Sequence, residues 1–124
     1  MKPLYVVLSS LIGAYNTTQD PDWKDKHEAR LKKIVKEHLP SGSGFDTAVQ
    51  LDLEKSHAQK LVFHTEFHHM NSYGYYDGWT QHTVTLTPEF GSFDIRVSGR
   101  DRNGIKDYIA DCFVEALKTL VKEF

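Results

Sequence analysis

The chain has 124 residues, with 40% hydrophobic and 26% charged side chains and a formal net charge of −2. This size and balance predict a single domain over residues 1–124, whose apolar core is large enough without metal or disulfide support. The small net charge gives no general attraction to nucleic acid or anionic membranes. The lone Cys112 excludes an internal disulfide framework and favours the reducing cytoplasm.

Two helices are predicted in the first third of the chain. Residues 4–14 follow a lysine and are apolar, which also fits a short secretory signal. Because their apolar positions repeat at helical spacing, we expect a structural amphipathic helix, too short to span a bilayer. A second helix is expected between Asp20, as its N-cap, and Pro40. Its apolar stripe would consist of Trp23, His27, Leu31, Ile34, Val35 and His38.

The middle of the chain alternates with a period of two, which is the pattern of strands with one buried face. In the longest such segment, 61–70, apolar side chains occupy one face, and His64, Glu66 and His68 occupy the other. Shorter segments of the same kind are predicted at 49–53, 81–87 and 93–97, with a glycine-punctuated loop at 71–79.

A final helix is expected from Ile105 to Phe124, because apolar residues follow the 3.6-residue period to the end of the chain. Asp101 and Asn103 are both candidates for its N-cap. The predicted element order is therefore α-α-β-β-β-β-α. Successive strands joined by short turns favour an α+β fold, in which a four-stranded antiparallel meander sheet carries helices on one face and leaves the other polar.

The polar face contains a weak candidate for a metal site. His64, Glu66 and His68 recur at every second residue, and a His-x-His pair on a strand can bind zinc. The ordinary interpretation is a solvated sheet face whose histidines pair with threonines on the next strand. Because zinc sites in proteins use three or four fixed ligands, we predict no metal and no cofactor, with zinc as the alternative.

The strongest candidate for an interaction site is the loop at 71–79, which combines tyrosine, tryptophan, serine and glycine. Such residues provide large contact areas at a low cost in side-chain entropy. Tyr73 and Tyr75 are expected to be exposed contact residues. Tyr76 and Trp79 are equally compatible with rings that fold back onto the core.

A histidine-rich pocket beneath that loop is the second candidate. His69 and His82 share the core-facing side of their strands, and an imidazole that titrates near neutrality can act as a general base. The other residues predicted to line this pocket, or to hold an anion beside it, are Ser43, Asp46, His68, Trp79, Arg100 and Arg102. Turn and capping chemistry, and hydrogen-bonded histidines at the rim of the core, would explain the same residues.

Four segments together resemble a family of small uncharacterised proteins from bacteriophages and prophages. They are 39–46 (LPSGSGFD), 67–70 (FHHM), 76–84 (YDGWTQHTV) and 99–108 (GRDRNGIKDY), and the similarity covers residues 39–115. No activity follows from this resemblance. It implies a cytoplasmic accessory protein of a phage or another mobile element.

The sequence leaves two functions open. The first is a small binding protein that contacts a host or defence component through the aromatic loop, because no complete catalytic set is present. The second is a small-ligand-binding protein or a hydrolytic enzyme, metal-dependent or not, that uses the histidine pocket. A protein partner is expected rather than nucleic acid or a membrane, with a small anion as an alternative ligand. A homodimer, formed through the polar face or a sheet edge, is compatible with the pattern.

Overall fold

A computed structural model describes residues 1–40 and 49–122. Its elements in chain order are β1 (Lys2–Pro3), α1 (Leu4–Thr17), α2 (Pro21–His38), β2 (Gln50–Leu51), β3 (Leu61–Met70), β4 (Tyr76–Glu89), β5 (Ser92–Gly99), α3 (Ile105–Lys118) and β6 (Leu120–Val121). Strands β2-β3-β4-β5 form an antiparallel meander sheet, and β1 pairs with β6 in a second, two-stranded sheet. The predicted α+β class and element order are confirmed.

The core lies between the sheet and the helices, and the alternation in β3 decides which side chains enter it. Leu61 and Phe63 are fully buried, and the ring of Phe63 lies 5.7 Å from that of Phe113 on α3. The opposite helix-facing positions of β4, Val84 and Leu86, are also fully buried. Helix α1 contributes Leu4, Leu8 and Ile12, which shows that this apolar segment is a core helix in the folded protein.

The last helix is shorter than its periodicity predicts. It ends at Lys118, and residues 120–121 form β6, which pairs with β1 at the other end of the chain. The Leu4 N–H also donates to the Thr119 carbonyl at 2.9 Å. The helical spacing of Leu120 and Val121 was therefore misleading, since a partner more than a hundred residues away competes for these backbone groups. Phe124 lies outside the described residues.

The aromatic loop is shorter than predicted, because β4 begins at Tyr76 rather than at residue 81. Tyr76 pairs with Met70 across an irregularity at 68–70 that shifts the register. Residues 76–79 are therefore strand, and the connecting loop is 71–75. By contrast, the predicted first strand shrinks to β2, because the Asp52 carboxylate accepts hydrogen bonds from the Glu54 and Lys55 N–H groups and begins a turn.

The N-cap of α2 is as predicted, whereas its apolar stripe is only partly so. Asp20 caps α2, accepting from the Asp22 N–H at 3.0 Å. Trp23, however, is 55% exposed, and its ring lies tilted beside that of His27 with centroids 5.7 Å apart. Of the predicted apolar stripe, only Leu31 and Val35 are buried. None of the described helices is both long and apolar enough to cross a bilayer.

The cap position of α3 is Gly104, in a left-handed conformation with φ 75°, and not Asp101 or Asn103. Asp101 nevertheless accepts from the Lys106 N–H at 3.2 Å, so its carboxylate satisfies an amide of the first turn from outside the cap position.

Candidate functional site

Five large side chains are exposed together where β3 turns into β4. We call this group the aromatic surface, and it consists of Met70, Tyr73, Tyr75, Tyr76 and Trp79. Their exposed fractions run from 84% for Tyr73 to 53% for Trp79. The sequence left open whether Tyr76 and Trp79 fold onto the core, and in the structure both face solvent. Such a concentration of exposed apolar surface is unusual away from interaction sites.

The loop that presents Tyr73 and Tyr75 is held by one side chain, that of Asn71. Its Oδ1 accepts from the N–H groups of both tyrosines, at 2.9 and 3.0 Å. The Asn71 N–H donates to the Tyr75 carbonyl, and the Asn71 carbonyl accepts from the Gly74 N–H. Gly74 adopts φ 83°, which favours glycine. The two most exposed rings are therefore carried by a loop with a closed set of hydrogen bonds.

A second anchor joins the aromatic surface to the loop before α3. The Arg102 guanidinium donates to the backbone carbonyl of Asp77 at 2.6 Å and also binds the Asp77 carboxylate. The two bonds use different nitrogens of one planar group, an arrangement that fixes orientation as well as distance. Arg102, predicted as an anion ligand, is thus occupied in positioning the start of β4.

The aromatic surface continues onto the polar face of the sheet. His68 lies directly across from Trp79 in the β3–β4 pairing, and its ring stands 5.3 Å from that of Tyr76. Beside this group lies an open depression of about 410 Å³. Its lining includes Gln50, His64, Glu66, Gln81, Thr83 and Ser98. An apolar rim therefore adjoins a floor rich in hydrogen-bonding groups.

On that floor, His64 is held between two side chains. Its Nε2 lies 2.9 Å from an Asp52 carboxylate oxygen, and its Nδ1 lies 3.2 Å from the Thr83 hydroxyl. The hydrogen bond with His64 lowers the pKa of Asp52, against the opposing effect of burial. This is the pairing with threonine expected of an ordinary sheet face. Across residues 1–40 and 49–122, no three His, Cys, Asp or Glu side chains are grouped so that they could hold a metal ion.

The histidines predicted to share one pocket are separated by the sheet. His68 belongs to the polar face, whereas His69 and His82 are buried and alternate onto the core side, although His82 also borders the polar depression. The Thr80 hydroxyl bridges the two buried rings, at 2.8 Å from each Nε2. A hydroxyl has one proton, so at least one imidazole donates to its oxygen. Thr80 thus connects two histidines into one buried network. Ser43 and Asp46, also predicted for this pocket, lie outside the described residues.

Burial lowers the pKa of both His69 and His82, and the nearby Arg102 lowers that of His69 further. Hydrogen bonding to the Ser98 backbone partly opposes the effect of burial on the pKa of His82. The rings are therefore neutral in the folded protein at a pH where they would begin to protonate in the unfolded chain. The unfolded chain binds more protons there, so stability falls as the pH falls.

We expect the free energy of unfolding to be lower at about pH 5 than at about pH 7.5, because the ordinary histidine pKa lies near 6.5. The Asp52 contribution is lost only below the ordinary aspartate pKa, so this window isolates the histidines. Urea denaturation at the two pH values measures the difference. Equal stability at both would contradict the lowered histidine pKa values.

At the predicted anion site before α3, one backbone amide and one of the two arginines already form hydrogen bonds within the protein. The Asp101 carboxylate takes the Lys106 N–H, and Arg102 binds Asp77. Arg100 is exposed beside them. Carboxylates of the protein itself, those of Asp101 and Asp77, therefore already bind the Lys106 amide and the Arg102 side chain that were expected to bind an external anion.

Three residues that shape the site were missed from the sequence: Asn71, Asp77 and Thr80. Asn71 did have a signal, since an asparagine shortly before a glycine is typical of turns in which the side chain bonds to the backbone. Asp77 had none, because its partner Arg102 is 25 residues away. Thr80 and its partner His82 are two residues apart on one strand face, but the other partner, His69, is 11 residues away, so the bridge was not apparent.

Comparisons of the chain with protein-family models, with curated proteins and with solved structures gave no match.

Proposed function

We propose that this protein is a small binding protein that attaches to a protein partner through the aromatic surface. The observation that carries the proposal is the simultaneous exposure of five large side chains at one end of the β3–β4 hairpin. Tyrosine, tryptophan and methionine are enriched in interface cores, where truncating one such side chain often costs much of the affinity. The aromatic surface has the composition of such a core.

The hydrogen bonds of the loop also favour binding. Ordering a flexible loop at an interface reduces affinity, because conformational freedom is lost on association. Here Asn71 fixes the loop carrying Tyr73 and Tyr75. Arg102 fixes the first residues of β4 through its hydrogen bonds with Asp77. Both anchors exist in the isolated chain, so less ordering remains to be done when a partner binds.

The charge beside the aromatic surface supports a protein partner over nucleic acid. Arg102 is paired with Asp77, so this guanidinium is not free to neutralise a phosphate. The phage resemblance of residues 39–115 suggests that the partner is a host or defence component. An apolar groove on that component would accept the exposed rings.

The test is capture of the partner from host lysate by the purified protein, compared with the double variant Tyr73→Ser/Tyr75→Ser. We expect the double variant to lose about a hundredfold or more in affinity, because two contact rings are removed. Affinity would be measured by titration once mass spectrometry has identified the captured protein. The fold should be unchanged, since both side chains are more than 70% exposed.

The matched control is Phe90→Ser, which removes a fully exposed ring in the turn between β4 and β5, outside the aromatic surface. Its affinity should equal that of the unchanged protein. A captured protein that binds the double variant as tightly as the original would refute the proposal. Equal losses in the double variant and the control would show non-specific adhesion of exposed rings and would refute it as well.

The polar depression supports a small-ligand-binding protein as a second candidate. Its volume of about 410 Å³ falls within the range of ligand sites, and Glu66 and Gln81, which are joined by one hydrogen bond of 3.2 Å, present further polar atoms there. Mass spectrometry of the purified protein under native conditions tests this candidate. A stoichiometric small molecule that is lost on Gln81→Ala substitution would favour it over the aromatic surface as the primary site.

A further inference from the structure

The two edges of the four-stranded sheet differ in how well they are protected against pairing with a further strand. At one edge, β2 covers only the first part of β3, and the remaining part of β3 carries the irregularity at 68–70. At the other edge, β5 pairs with β4 without interruption over all eight of its residues, 92–99. Within the described ranges, no strand pairs with the outer side of β5.

Strand β5 carries few of the features that usually prevent edge pairing. Proteins protect exposed edges with bulges, prolines, charged side chains (lysine above all) or very short strands, and β5 has one charge of each sign, Asp94 and Arg96. The sequence of β5, SFDIRVSG, contains no proline or lysine, and its pairing with β4 is regular. Its core-side residues Phe93, Ile95 and Val97 are only partly buried. The strand therefore presents free backbone groups and incompletely covered apolar side chains along one line.

We propose that the outer edge of β5 pairs antiparallel with β5 of a second copy of this chain, about a two-fold axis at Ile95, to form a continuous eight-stranded sheet. In this register Asp94 lies directly opposite Arg96 of the second copy, and Arg96 lies opposite its Asp94. Phe93 and Val97 meet in the same way on the core side. Directly opposite unlike charges stabilise antiparallel pairs.

Neighbouring registers of the β5–β5 pair are disfavoured, either because they bring polar-face side chains against core-side ones or because they bring like charges together. A shift of the pairing by one residue would place the polar face of one copy against the core-facing side of the other, because successive side chains alternate. An axis at Asp94 would put two carboxylates opposite each other, and an axis at Arg96 would do the same with two guanidinium groups. Of these closely spaced registers, the one centred on Ile95 alone satisfies both requirements.

The charges involved are available to a second copy. Arg96 is 84% exposed, and within one chain its Nε lies 3.1 Å from the Asp94 carboxylate on the polar face. Two such pairs, brought together by the two-fold axis, form a cluster in which every charge has unlike neighbours. The aromatic surface stays outside this interface, because it lies at the β3–β4 hairpin, so a dimer would display two copies of it.

The test is sedimentation equilibrium of the untagged protein over a concentration series. The variants are Asp94→Arg, Arg96→Asp and the double exchange Asp94→Arg/Arg96→Asp. Lys60→Asp, which lies outside β5, is the control that matches the charge change of Arg96→Asp. We expect a dimer, at twice the 14.2 kDa mass of one chain. Each single variant should weaken dimerisation about tenfold or more, since it creates two like-charged pairs. The double exchange should restore dimerisation, and the control should leave it unchanged.

Hydrogen exchange of the unchanged protein gives a second measurement, which does not depend on any variant folding correctly. Amide groups of residues 92–99 should become more protected as the concentration rises through the dimerisation range, while those of β2 should not. A monomer at every concentration would overturn the proposal. A dimer would overturn it too if its stability did not respond to the single charge reversals, if the double exchange failed to restore it, or if β5 gained no protection.

Discussion

Phe63→Ala is expected to lower the free energy of unfolding by about 3–5 kcal/mol, which is the cost of truncating a fully buried phenylalanine. Phe63, the third residue of β3, is completely inaccessible to solvent, and its ring packs against that of Phe113 on α3. Truncation would leave a cavity between the sheet and α3. Because the interior is closely packed, the surrounding side chains can close that cavity only in part.

Urea denaturation monitored by circular dichroism measures this loss. Phe90→Ala is the control, since the Phe90 ring is fully exposed and its removal should change stability by less than about 0.5 kcal/mol. Similar losses in the two variants would mean that Phe63 is not in the core, and the assignment of faces along β3 would then be wrong.

Thr80→Val is expected to destabilise the protein by about 2–6 kcal/mol, although valine has nearly the same shape as threonine. The Thr80 hydroxyl lies 2.8 Å from the Nε2 atoms of both His69 and His82. All three side chains are at most 8% exposed, so water cannot easily replace the lost partner. Leaving a buried polar group unsatisfied costs about 1–3 kcal/mol, and this substitution affects two of them.

Thr80→Ser separates the hydrogen bonds from the packing. Serine retains the hydroxyl and loses one methyl group, so its cost should be near 1 kcal/mol, the value of a buried methyl or methylene group. Chemical denaturation at about pH 7.5, where the buried histidines are neutral, measures both variants. A serine variant as unstable as the valine variant would show that the hydroxyl does not connect the two rings.

Much of the fold follows from local patterns. Alternation along residues 61–70 predicted both β3 and the assignment of its faces, and Leu61 and Phe63 are indeed buried while His64 and Glu66 line the polar depression. Asp20 was recognisable as a cap because capping depends on neighbours within one helical turn. For the same reason, the helical spacing of the apolar residues in 4–14 predicted α1.

Elements that depend on distant partners were not predicted. The backbone of 120–121 pairs with residues 2–3, and Tyr76 extends β4 by pairing with Met70, so neither boundary could be read from local periodicity. Trp79 lies opposite His68 in the β3–β4 pairing, so its place on the polar side depends on that register as well. The candidate site therefore became defined only when the register of β3 and β4 was known.

The sequence by itself determined the α+β class, the order of the elements, the core-facing positions of β3 and the general location of the aromatic surface. Periods of 2 and 3.6 residues are properties of a single segment, and burial of the apolar side of each segment follows from them. Only the tertiary structure decided that Thr80 links His69 to His82, that Arg102 holds Asp77, and that no strand of residues 1–40 and 49–122 pairs with the outer edge of β5. These features require groups far apart in the chain to meet, and hydrogen bonds form wherever the packed helices and strands bring a donor to an acceptor.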